Sequence, residues 1–153
     1  MLCLVVRLGG DRYALDIQQV VEVVPLVDIM PVPQAPPAVS GVFTYRGFPV
    51  PVVDLCQLTL NRPASPTLST RIVVVRIPDD RGELHLLGLI AERATETVRR
   101  SHSDFARSTI VGGTAPYLGP VAVDGQGLLH WVEVQKILPA SLRDALFKES
   151  LAS

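Results

Sequence analysis

Gly41-Val42-Phe43-Thr44-Tyr45-Arg46-Gly47-Phe48-Pro49-Val50-Pro51-Val52-Val53-Asp54-Leu55 is the stretch whose reading decides the fold. An apolar run rises to a Tyr-Arg-Gly turn, and a second apolar run returns with prolines at alternate positions. Glycine supplies the positive φ that tight hairpin turns need. Along a strand, residues two apart point their N–H groups toward the same edge, and Pro49 and Pro51 have none. One side of the returning strand is therefore barred to a neighbour, while Phe48, Val50 and Val52 can still pair on the other. The pattern predicts a stiff edge hairpin with a cation at its tip, suited to side-chain docking with a partner.

Outward from this hairpin the chain reads as strands. Leu2–Leu8, Arg12–Asp16, Val20–Val24, Val39–Phe43 and Phe48–Leu55 form one set. Arg71–Ile77, Leu84–Ile90, Ala94–Val98, Leu118–Val123 and Leu128–Val134 form a second. Val and Ile enrichment between Gly, Pro and Asp clusters carries this reading. Ile17, Val20, Val21 and Val24 also fit a helical period. β-branching and the flanking strands favour a strand there, with a short turn near Gln18.

The two sets look like a repeat. Val5-Val6-Arg7-Leu8 is echoed by Val74-Val75-Arg76-Ile77, and each half ends in an acidic residue followed by an aliphatic one, Asp54-Leu55 and Glu133-Val134. The expected architecture is all-β, with two tandem five-stranded barrels that close their sheets and so remove free edges. The expected lobes are about 10–66 and about 67–139, with strand exchange between them left open. Pro63-Ala64-Ser65-Pro66 reads as the connector. Ser101–Thr109 reads as a loop with a helical turn. Beyond Pro139, Ser141-Leu142-Arg143-Asp144 reads as a capping box opening a short amphipathic helix over about 141–151.

At 153 residues the chain fits one domain or one domain with two lobes. Apolar residues make up 48% and charged residues only 19%, with a mean hydropathy of +0.33. Either the core is generous or apolar surface is left for partners. Fourteen basic residues against fifteen acidic ones give a net charge of −1, so no basic field exists to attract nucleic acid. The apolar start, Met1 to Leu8, is one strand long and interrupted by Arg7, unlike a secretory signal. No run approaches the ~18 apolar residues of a membrane span, so a cytoplasmic chain is expected. Cys3 and Cys56 read as small buried hydrophobes, not as a disulfide.

No catalytic constellation stands out. His85, His102 and His130 are isolated in sequence, and no Cys or His pair has metal-ligand spacing. Gly112-Gly113 and Gly125-Gln126-Gly127 lack the context of a phosphate-binding loop. The expectation is a protein that is not an enzyme and takes neither cofactor nor metal.

The pattern Gly-Val-x-x-x-Arg-Gly-x-x-x-Pro-Val-x-Asp-Leu over residues 41–55 resembles the signature of the CheW-like domain family, the adaptors of bacterial chemosensory arrays. Tyr13-Ala14-Leu15-Asp16-Ile17-Gln18-Gln19-Val20-Val21-Glu22-Val23-Val24, Val32-Pro33 and Pro36-Pro37 also match its manner. Residues 2–55 match strongly and 71–139 more loosely, leaving no region over for another domain. The resemblance implies two five-stranded SH3-like barrels and a single CheW-like domain over 1–153.

It further implies an adaptor between the cytoplasmic tip of a methyl-accepting chemotaxis receptor and the regulatory domain of a CheA-type histidine kinase. The chain would be recruited to inner-membrane receptor arrays without inserting into the membrane. Glu22 and Arg46 occupy positions that the family associates with coupling receptor to kinase, and the resemblance pairs them in the groove between lobes. Val20 and Gly41, and by looser alignment Ile72 and Gly88, carry over as positions near the receptor surface. Tyr45 stands where the family usually has an aliphatic residue, and a tyrosine beside an arginine on a turn has the makings of an interface hot spot. Ala91-Glu92-Arg93 departs from the family's usual Val-Asp. Two other readings stay open: a small β-barrel peptide- or ligand-binding module unrelated to receptor arrays, and a hydrolase with a hidden triad.

Overall fold

The computed structural model describes residues 1–79, 81–105 and 115–138. The expected C-terminal helix over 141–151 and the end of the expected 101–109 loop lie outside them. Ten strands run through the described residues: β1 Leu2–Leu8, β2 Asp11–Asp16, β3 Val20–Pro25, β4 Val39–Tyr45, β5 Phe48–Asp54, β6 Arg71–Pro78, β7 Leu84–Ala91, β8 Arg93–Arg99, β9 Leu118–Asp124 and β10 Gly127–Val132. Each expected strand is present to within two residues. A 3₁₀ turn at Ile17–Gln19 separates β2 from β3, where the mixed periodicity placed a turn.

The strands form two five-stranded sheets, one ordered β8-β1-β2-β10-β9 and the other β3-β6-β7-β5-β4. Replacing each strand of one half by its counterpart in the other half converts one order into the other, so the repeat read from the sequence is present. Its strands are exchanged, however: each sheet takes the first two strands of one half and the last three of the other. The sheets therefore divide the chain as 20–91, an inner barrel contiguous in sequence, and 2–16 with 93–132, an outer barrel interrupted by it. This corrects the expected lobe limits near 66 and 67. Local patterning gives strands but not the long-range partners of each strand, and β2 and β7 each pair in parallel with a distant strand, β10 and β5 respectively.

Alternation along the strands sorts the core into three layers. On β1, Cys3 and Val5 face the interior of the outer barrel, and Leu4, Val6 and Leu8 face the other way. On β6, Ile72 and Val74 face the interior of the inner barrel, and Val73, Val75 and Ile77 join Leu4, Val6 and Leu8 in a shared core between the sheets. A strand buried on both faces reads as a continuous apolar run. Much of the high apolar content is therefore spent on this shared layer. Both cysteines are buried and free, and burial pushes the Cys56 thiol up to about 12.

One element was not foreseen. Leu55–Leu60 is a short α-helix, α1, where the reading had ended β5 at Leu55. Asp54 Oδ1 accepts the Cys56 and Gln57 amides at 2.9 and 3.2 Å, and Asn61 closes the helix in the left-handed region at φ 57°. An acidic N-cap and an asparagine C-cap are the sequence signals that could have found it. Asp54 Oδ2 also accepts the Ala64 amide at 2.9 Å, which folds the connector back onto the helix.

The hairpin β4–β5 lies at the margin of the inner sheet, but its edge strand is β4, not the proline-bearing β5. Pro49 and Pro51 stand opposite Thr44 and Val42 of β4, and β7 joins β5 only from Val52 onward. The expectation that one side of β5 is barred along its length is corrected: the prolines end the pairing with β7, and the strand is paired on both sides after them. The free edge of β4 is capped by Met30, which exchanges two main-chain hydrogen bonds with Val42 at 2.8 and 2.9 Å. Gly41, at φ 140°, permits that approach, because a Cβ there would lie 2.0 Å from the Met30 carbonyl oxygen.

Candidate functional site

The β4–β5 turn has two central residues, Arg46 and Gly47, with φ of 50° and 84°. Both left-handed positions suit the twist of a two-residue hairpin. Glycine takes its place freely, whereas arginine accepts strain that asparagine or glycine would avoid. That backbone orients the guanidinium. Arg46 Nη2 donates to Glu22 Oε1 at 2.8 Å, and its Cζ lies 5.2 Å from the centre of the Tyr45 ring. The Tyr45 hydroxyl donates to the same Glu22 oxygen at 2.6 Å.

Burial sorts the three residues into different roles. Tyr45 is buried, its ring 6.1 Å from that of Phe43 in the inner-barrel core. The Arg46 side chain is 72% exposed and that of Glu22 40%. The Tyr45 hydroxyl foremost, with the Arg46 guanidinium, holds the Glu22 carboxyl below its usual range against partial desolvation. The same bond raises the Tyr45 phenol. Phe48, opposite Tyr45, and Met30, opposite Val42, are exposed on the same hairpin margin. The result is a fixed charged group with apolar neighbours, offered at a barrel rim.

Glu22 belongs to β3, and β3 and β4 are the two margins of the inner sheet. The Glu22–Tyr45–Arg46 cluster thus joins the two edges of one barrel. The expected Glu22–Arg46 pair is present, and both partners come from the same sheet.

The outer barrel is closed in the same way with the charges reversed. Asp124, at the end of edge strand β9, accepts from Arg100, just past edge strand β8, at 2.8 Å. It also takes Arg12 in a two-pronged pair at 3.1 and 2.6 Å. Arg12, foremost, drives the Asp124 carboxyl well below the usual carboxylate range. Arg12 and Asp124 are 112 residues apart, and no local pattern marks such a pair.

The remaining sequence candidates separate. Ile72 and Gly88 are fully inside the inner barrel, where a Cβ at Gly88 would meet Ile72 Cγ2 at 3.0 Å, Phe43 Cε1 at 3.2 Å and Val52 Cγ2 at 3.3 Å. They shape the core beneath the barrel wall and offer no side-chain surface of their own. Val20 is half-buried against the core between the sheets. Gly41 is buried and acts through the β4 edge, as above. The structure therefore brings together Glu22, Tyr45 and Arg46 from the predicted set.

Two polar clusters went unread in the sequence. Glu92 accepts both guanidinium nitrogens of Arg62 at 3.1 Å each, with the Gly9 amide at 2.9 Å and the Ser65 amide at 3.0 Å. Arg62, foremost, holds its carboxyl well below the usual range. Asp79, Glu83 and His85 bring three ligand-type atoms within 4.8 Å of one another on the β6–β7 hairpin. There His85 Nε2 lies 2.7 Å from Asp79 Oδ2 while Asp79 Oδ1 accepts the Arg81 and Glu83 amides, so the carboxylate builds the turn. The His130 ring is stacked on Tyr13 at 5.1 Å, and His102 is exposed in a 3₁₀ turn.

Comparison with known proteins agrees with this arrangement. The chain is 27% identical to the chemotaxis protein CheW of Treponema pallidum (strain Nichols) over 137 residues, covering 86% of this chain and 78% of that protein. It is 24% identical to the chemotaxis protein CheW of Rhizobium meliloti (strain 1021), covering 91% and 88%. The crystal structure of the scaffolding protein TtCheW from Thermoanaerobacter tengcongensis superposes with a TM-score of 0.79 at 23% identity, over 90% of this chain and 87% of that one, and so shares the fold. The family model described as the CheW-like domain matches residues 2–141, which takes in both exchanged barrels and the Glu22–Tyr45–Arg46 rim, and the chain belongs to that family.

Proposed function

We propose that this chain is a non-catalytic adaptor that couples methyl-accepting chemoreceptors to a CheA-type histidine kinase. The Glu22–Tyr45–Arg46 rim is its receptor-coupling face. The observation that carries the reading is the Arg46 guanidinium, fixed by Glu22 and the Tyr45 ring yet largely exposed. A pre-oriented guanidinium loses little freedom when a receptor segment docks, and an arginine–aromatic pair with exposed Phe48 beside it has the composition of a binding hot spot. Family membership over residues 2–141 and relatives named as chemotaxis proteins support the adaptor role and disfavour an unrelated barrel module.

The mechanism is differential binding. A receptor that changes shape at the rim alters how strongly the adaptor holds it, and the free-energy difference passes to the kinase through the joined barrels. Among the described residues no helix is long and apolar enough to cross a membrane. Placement in the cytoplasm, at the receptor tips, belongs to the same proposal.

Pull-down with a purified receptor tip and a purified kinase regulatory domain tests the reading. Arg46→Glu sets a second carboxylate against Glu22. It should abolish receptor capture while leaving kinase capture and the circular dichroism spectrum unchanged. Undiminished receptor capture by the folded variant would remove the rim from the interface.

A further inference from the structure

Three arginines lie side by side across the outer sheet. Arg7 on β1 stands opposite Arg12 on β2 and opposite Arg93 on β8. Like charges directly opposite on neighbouring strands repel. Asp124 answers Arg12. Among the described residues no carboxylate lies within ion-pair distance of Arg7 or Arg93, and Arg7 has only the side-chain amide oxygen of Gln126 at 3.3 Å. Among the described residues, two of the three positive charges therefore have no carboxylate partner.

Those two line a cavity of about 460 Å³ together with Gly9, Thr67, Ser69 and Glu92. Both oxygens of Glu92 are occupied by Arg62 and by main-chain amides, so its charge is balanced before any ligand enters. The Thr67 and Ser69 hydroxyls are hydrogen-bonded to one another at 3.0 Å, and Thr67 Oγ1 also lies 3.2 Å from Thr70 Oγ1, so an anion entering there would draw a donor from an existing hydroxyl chain. Among the described residues no aromatic ring lines the cavity, so none of them would stack on a base there. What lines it is two arginines, one of them held only by a long 3.3 Å bond to Gln126, beside a hydroxyl chain, the chemistry that recognises a multiply charged phosphoryl oxyanion.

We propose that the cavity between Arg7, Arg93 and the Thr67–Ser69 turn is a binding site for a compact polyanionic phosphoryl group of the pyrophosphate class. The occupant would neutralise the like-charged pair. It would also tie the connector before β6 to the outer sheet, at the point where the chain passes from β7 to β8. This site shares no residue with the Glu22–Tyr45–Arg46 rim and does not depend on the adaptor reading.

Calorimetric titration of the full chain with sodium pyrophosphate at fixed ionic strength is the test, because screening alone alters exposed charges. Saturable binding of one pyrophosphate is expected. Arg7→Ala and Arg93→Ala should each weaken it roughly tenfold or more, the weight of one charge-assisted hydrogen bond. Arg76→Ala, an exposed arginine of the other sheet, should leave it unchanged. Absence of saturable heat overturns the site, as does equal weakening by Arg76→Ala. Citrate binding as tightly as pyrophosphate would overturn the phosphoryl assignment.

Discussion

Glu22 Oε1 receives two donors, and they are not equivalent. The Tyr45 bond is the larger cause of the lowered Glu22 carboxyl, ahead of the Arg46 charge, because the phenol reaches it from a buried ring whereas the guanidinium is open to water. A carboxyl whose folded pKa is depressed adds stability above its unfolded value, about 4.3, and that contribution is lost as pH falls through the folded value. The raised Tyr45 phenol adds stability below its unfolded value and loses it as pH rises through the folded one. Tyr45→Phe should therefore move the Glu22 titration, followed by carboxyl NMR, up toward the usual range and shrink the gap between neutral and acid stability. Arg46→Ala should move it less. A Glu22 titration unmoved in Tyr45→Phe would contradict the assigned cause.

At the scale of the element, the β4 margin depends on one missing side chain. Gly41→Ala would place a methyl group 2.0 Å from the Met30 carbonyl oxygen at a φ of 140°, breaking the two hydrogen bonds that cap the strand. The expected cost is at least about 2 kcal/mol, from backbone strain and clash together, read as a lower denaturant midpoint; a midpoint equal to that of the parent would refute it. Elements were the most legible level of this sequence. All ten strands could be placed from alternation, β-branching and punctuation, because those signals are local. Helix α1 escaped because its apolar and polar residues continue the look of β5, although Asp54 and Asn61 mark its ends. Arg46 was legible as the cation at a hairpin tip, and Glu22, with its pairing to Arg46, only through the family pattern. Arg12, Asp124 and Arg100 were not legible, since their meeting depends on strand order. The burial of Ile72 and Gly88 was not legible for the converse reason: a motif position says nothing of which face of a strand a residue takes.

For the whole molecule, the shared layer between the sheets decides how it unfolds. Leu4, Val6 and Leu8 of the outer sheet and Val73, Val75, Leu87 and Leu89 of the inner one bury each other. Neither sheet can open without exposing the other's apolar face, so a single cooperative transition is expected. Leu89→Ala, an inner-sheet truncation costing about 2–5 kcal/mol, should lower the midpoint followed through Trp131, an outer-sheet reporter, as much as that followed by far-ultraviolet circular dichroism. Two separated transitions, with Trp131 indifferent to the change, would show independent barrels.

The nesting of residues 20–91 inside the outer sheet also sets an order of events on the ribosome. The hairpin β1–β2 emerges before the inner barrel, whereas its sheet neighbours β8 and β10 are translated after it. In the interval the inner barrel is already entire and can cover Leu4, Val6 and Leu8, while Cys3 and Val5 wait uncovered for strands not yet made. A nascent chain that has emerged past residue 91 but not yet past 117 would present that half-dressed hairpin to chaperones.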